Sequence, residues 1–116
     1  MPLLEEHWFD EFYRVLVIRE DDEIIVSVDL YAEVPCTPGS SVLRLGETSL
    51  TYIEVEPRCL GIEAGKAELL VLDAGTGSCE LIGARIHLEP AAETMPVDEI
   101  YRIVKSSWRR CMGIGS

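Results

Sequence analysis

Four cysteines (Cys36, Cys59, Cys79 and Cys111) and two histidines (His7 and His87) are the only thiols and imidazoles in this chain. Asp73 and Cys79 flank a glycine-rich stretch, "LLVLDAGTGSCEL", at residues 69–81. A carboxylate running into glycines could place backbone N–H groups around a phosphate. A thiol after such a turn could be an activated nucleophile. No base stands near Cys79 in sequence, so a structural thiol or a disulfide is the preferred reading. His7 with Glu11 has i, i+4 spacing, and His87 with Glu89 shares a strand face. Each could be half of a metal site, but neither pair brings a third ligand. "EDDE" at 20–23 lacks the spacing of a calcium loop and reads as a solvated turn. No catalytic residue, metal ligand or cofactor is assigned on these grounds.

The stretch Asp73-Ala74-Gly75-Thr76-Gly77-Ser78 resembles the first motif of Rossmann-like methyltransferases, with Cys79 where that family usually has a third glycine. The resemblance covers about nine residues and implies a site for S-adenosylmethionine. It also requires a helix next and a doubly wound sheet around it. Asp73-Ala74-Gly75-Thr76 is similar to the aspartic-protease signature as well, and "LIGAR" (81–85) to that family's second element. There Ala74 replaces the usual hydroxyl residue, and the two elements lie too close to leave room for a flap. "CELIGARIHLE" (79–89) alternates like a strand, so the glycines read as a hairpin turn. An enzyme is disfavoured.

The elements around these residues are mainly strands. Pro2 with Leu4, Trp8 and Phe12 at four-residue steps predicts a short N-terminal helix. "YRVLVIR" reads as a strand. "EIIVSVDLYAEV" is a long one, with Ile24, Val26, Val28, Leu30, Ala32 and Val34 on one face. "VLRL" and "SLTYIEVE" are either one bulged strand or a hairpin at "GET". "KAELLVLD" is a strand, and the next strand places Ile82, Ala84, Ile86 and Leu88 on one face. "VDEIYRIVKSSWRRCM" (97–112) is an amphipathic C-terminal helix, acidic in its first turn and basic in its last. The fold expected is α+β and mostly β. It is a five- or six-stranded antiparallel meander sheet or small barrel, with a short N-terminal helix and an amphipathic C-terminal helix, in a single domain over 1–116.

The chain has 116 residues, 47% of them hydrophobic, enough for one core. It contains no Asn and no Gln. Both amides hydrolyse when hot, and hyperthermophile proteins tend to shed them, which suggests a thermophilic source. The net charge is −11. Residues 1–100 hold 21 acids against six bases, whereas 101–116 hold Arg102, Lys105, Arg109 and Arg110 and no acid. An acidic body repels phosphate backbones, so only the last helix could meet nucleic acid. No membrane span or secretory signal is read, and a cytoplasmic location is expected.

Intracellular disulfides are an accepted exception in hyperthermophiles, and four cysteines allow three complete pairings. If 41–57 is one strand, simple up-and-down order brings Cys36 and Cys79 to the same end of the sheet. Cys59 is then a strand length away, ~26 Å. If "GET" is a hairpin, Cys36 and Cys59 share an end instead. The Cys36–Cys79 bridge is the one carried forward.

The function expected is a non-catalytic interaction or assembly module that self-associates or joins a larger complex. Its contacts are assigned to an exposed strand edge and to Ile100, Tyr101, Val104 and Trp108 on the helix stripe. The alternative is a nucleic-acid-associated accessory protein using Arg102, Lys105, Arg109 and Arg110. A small enzyme around Asp73 and Cys79 comes third.

Overall fold

A computed structural model describes residues 3–9, 13–36, 41–45, 48–62, 65–73, 78–89 and 96–113. Seven strands are present among the described residues: β1 (Leu3–Phe9), β2 (Tyr13–Arg19), β3 (Ile24–Val34), β4 (Ser41–Leu45), β5 (Thr48–Val55), β6 (Lys66–Asp73) and β7 (Cys79–Leu88). A short 3-10 turn (Pro57–Leu60) follows β5, and α1 (Val97–Cys111) follows β7. The strands form one antiparallel sheet in the order β1-β2-β3-β7-β6-β5-β4. The α+β, mostly β expectation therefore holds, and β2 to β7 account for every strand read from the sequence.

Three features depart from expectation. The N-terminal segment is a strand, not a helix. Leu4 and Trp8 are four residues apart, a step that suits one helix face and equally one strand face, because both numbers are even. Antiparallel pairing of Leu3–Phe9 with β2 decides it: Leu4 faces Ile18 and Trp8 faces Arg14. Phe12 lies outside the described residues. Second, the order is not a simple meander. β3 and β7 pair at the centre, and the connection after β3 leads to the far edge strand, β4. Third, the sheet is open, with β1 and β4 as its edges, rather than a barrel.

One sheet face is core. Val15, Val17, Val26, Val28, Leu69, Ala84 and Ile86 alternate along four strands, and none is more than 2% exposed. The apolar face expected for β3 is buried along its length, with Ala32 half-buried. In β7 the alternation slips. Leu81 is fully buried, whereas Ile82, expected on the core face, is half-buried. The cause is a register shift between Leu70 and Val71 of β6, which leaves Ile82 unopposed between Gly83 and Leu81. A side chain at Gly83 would put its Cβ 2.9 Å from the Val28 carbonyl oxygen. Glycine is therefore required where β3 and β7 crowd together.

The helix covers this face. Ile100, Tyr101, Val104 and Trp108 recur at three- and four-residue steps and are all buried. Cys59 on the 3-10 turn is disulfide-bonded to Cys111 at the end of α1. Cys36, just past β3, is bonded to Cys79 at the start of β7, with Cα atoms 5.2 Å apart. β4 and β5 do form the hairpin at "GET", for which the up-and-down argument placed Cys36 near Cys59. The crossover removes that consequence: the β4–β5 hairpin stands away from β3, and Val34 pairs with Cys79. No described helix is long and apolar enough to cross a membrane.

Candidate functional site

The open edge at β1 is built by strict alternation. Even-numbered side chains face away from α1: Leu4 is 64% exposed and Trp8 57%. Together with Tyr31 they are the exposed large hydrophobic side chains among the described residues. Glu6 lies between them. Its carboxylate accepts from the Trp8 indole Nε1 and from Arg14 Nη1 at 3.4 Å. The Arg14 guanidinium also stands over the Trp8 ring, 5.8 Å from its centroid. Odd-numbered side chains face the helix side. Phe9 stacks on Tyr101 with centroids 4.4 Å apart, which ties β1 to the first turns of α1. Glu5 accepts from Arg19 Nε at 3.0 Å and lies 3.4 Å from His7 Nε2. The Arg19 guanidinium first, and then His7, hold the Glu5 carboxyl below its ordinary range.

A concavity opens where β2, β3 and α1 meet. It measures about 150 Å³ and is lined by Tyr13, Asp29, Tyr31, Tyr101, Lys105 and Trp108. Lys105 Nζ sits 5.5 Å from the Tyr13 centroid and 5.4 Å from that of Tyr101, and donates to the Tyr101 hydroxyl at 3.4 Å. The chain's own ammonium thus takes the cation–π position that a cationic guest would occupy. Tyr31 donates its hydroxyl to Glu80 at 3.2 Å. The Glu80 charge first, and then that hydrogen bond, raise the Tyr31 phenol above its ordinary range.

The residues singled out in the sequence are dispersed over the fold. Ile100, Tyr101, Val104 and Trp108, assigned above to partner contacts, are core against their own sheet, because α1 must cover the apolar face that the strands present. Their stripe is thus removed from the accessible surface. The four bases have four different partners. Arg102 pairs with Asp98 at 3.3 Å, Lys105 meets the tyrosines, Arg109 stands over Trp108, and Arg110 donates to the Cys59 carbonyl at 2.9 Å.

Asp73 and Cys79 are directly opposed at the end of the β6–β7 pair, as a hairpin requires. The glycine turn between them lies outside the described residues. Ligand atoms of Cys36, Asp73 and Cys79 lie within 4.8 Å of one another, but both sulfurs are committed to the disulfide. Glu11, the proposed companion of His7, is also outside the described residues.

One cluster escaped sequence reading. His87 stands between two glutamates, with Nδ1 facing Glu23 and Nε2 3.1 Å from Glu68. Glu89, two residues away, is not its partner. Glu68 arrives from the neighbouring strand and Glu23 from a turn 64 residues away, so only the sheet register brings them together. The charged turn at 20–23 closes by its own Glu20 N–H to Glu23 carbonyl bond at 2.9 Å. Glu68 is opposite Arg85 and only diagonal to His87, so no spacing along the chain signalled the cluster.

The chain matches no protein-family model, no curated protein and no solved structure.

Proposed function

We propose that this protein is a non-catalytic interaction module that self-associates through the open β1 edge. The observation that carries the reading is the exposure of Leu4 and Trp8 on an edge strand whose outer backbone has no partner among the described residues. Monomeric proteins blunt such edges with charged side chains, lysine above all, with proline or bulges, or with a covering element. Among its described residues, Leu3–Phe9, β1 carries no lysine and no proline; its two glutamates, Glu5 and Glu6, are paired with Arg19 and Arg14, and it presents two large apolar side chains. The helix stripe is consumed in the core, and two of the three exposed large apolar side chains among the described residues, Leu4 and Trp8, stand on this edge. The acidic body, −11 overall, disfavours phosphate-bearing partners away from α1.

The two disulfides and the absence of Asn and Gln support a chain suited to high temperature. In the cytoplasm of a hyperthermophile such cross-links persist, so the cytoplasmic reading is kept with that source. Sedimentation velocity over a concentration series from low to high micromolar tests self-association. A mass that rises from monomer to a defined oligomer is expected. A monomer at every concentration overturns the reading.

A further inference from the structure

We infer that two copies pair antiparallel through β1 about a two-fold axis at Glu6, making one continuous fourteen-stranded sheet. This inference rests on the self-association reading and specifies its geometry. In an antiparallel pair, directly opposed residues point to the same sheet face. Even-numbered residues of β1 face away from α1 and odd-numbered ones toward it. A two-fold axis normal to the sheet keeps those faces continuous, so even must oppose even and odd oppose odd. Only registers centred on a residue satisfy this condition.

Three such registers engage most of the strand. Centred on Glu5, the pairing sets Leu4 against Glu6. Centred on His7, it sets Glu6 against Trp8 and Glu5 against Phe9. Centred on Glu6, it sets Leu4 against Trp8 of the second copy, twice, and Glu5 against His7 of the second copy, twice. That register sets each exposed apolar side chain beside another on the outer face and matches acid with imidazole. Its one like-charge contact is Glu6 with Glu6 of the second copy. Each of these carboxylates already holds its own Arg14 at 3.4 Å, so the centre is an alternating group of two acids and two guanidinium groups. A seven-residue edge is a small interface, and association in the micromolar range is expected of it.

The test is site-directed cross-linking with a bis-maleimide whose span is under about 10 Å. Among the described residues no cysteine is free, so an added thiol is the reactive one. Glu6→Cys places two thiols at the axis, and a covalent dimer mapped to residue 6 in both chains is expected. In Leu4→Cys the two thiols lie ~14 Å apart along the strand at ~3.4 Å per residue, and no cross-link is expected. An equimolar mix of Leu4→Cys and Trp8→Cys should cross-link between the two variants. Leu4→Lys and Trp8→Lys, both at exposed positions, should weaken the dimer at least tenfold with unchanged circular dichroism.

A dimer that does not cross-link at residue 6 overturns this geometry while leaving self-association standing. A ladder of ever larger oligomers does the same, because it indicates β1 pairing with β4 of the next copy. A monomer at all concentrations overturns both.

Discussion

Replacing Cys59 and Cys111 by alanine removes the covalent link between the 3-10 turn and the last residue of α1. The two cysteines are 52 residues apart, and the loop they close contains β6, β7 and the whole helix. In the chain-entropy account, freeing a loop of that length costs ~4 kcal/mol of stability at room temperature, mainly by widening the unfolded ensemble. The native contacts should survive, because Leu60, Ile100, Val104 and Trp108 are buried in the apolar core around the bridge. An unfolding entropy of ~2.1 cal/mol/K per residue over this chain amounts to ~0.24 kcal/mol/K, so the expected fall in Tm is ~16 °C. Calorimetry of the non-reduced protein and the double variant, with the far-ultraviolet spectrum as a fold check, measures it. A Tm within ~3 °C of the parent would refute the argument, since no entropic account of a loop that long gives so small an effect. The Cys36–Cys79 pair, 43 residues apart, should behave nearly alike.

Trp108→Ala should cost ~3–5 kcal/mol and leave the oligomer intact, since Trp108 is core rather than interface; denaturant titration beside sedimentation separates the two effects. Gly83→Ala should cost ~1–3 kcal/mol, because the added methyl meets the Val28 carbonyl oxygen at 2.9 Å and backbone must move. Chemical denaturation reads that change, and a neutral result would mean the bulge relaxes freely. Tyr31 should titrate later than an ordinary phenol in a near-ultraviolet titration, and Tyr31→Phe should remove that late component. A phenol pKa raised in the folded state gives stability that is present below the ordinary tyrosine range and lost as pH rises through it. Glu5 runs the other way: its lowered carboxyl contributes above the ordinary glutamate range and is lost as pH falls through it. An acid melting series comparing the parent with Glu5→Gln should converge at low pH.

Much of the architecture was legible because local hydrophobic period carries it. β3 alternates over eleven residues, so its pairing face follows from its own side chains. In α1 a three- and four-residue stripe, with acids first and bases last, declares a helix before any contact is known. The turn residues between β6 and β7 separated a hairpin from a nucleotide loop, because the segment after Cys79 alternates as a strand. The N-terminal segment shows the limit of the same reasoning. A four-residue step satisfies both periods, and what resolves it is a partner strand.

Tertiary structure alone decided the strand order, the second disulfide and the use of the helix stripe. Period says which residues share a face but not which strand lies beside which, because every antiparallel neighbour offers the same backbone bonds. Cys36 therefore met Cys79 only once β3 and β7 became central neighbours. The β7 bulge moved burial from Ile82 to Leu81 because its cause, the register shift between Leu70 and Val71, lies in the pairing with another strand. The apolar stripe of α1 could have faced a partner or its own sheet. The sheet presents one large apolar face, and α1, bonded through Cys111 to the 3-10 turn after β5, covers it.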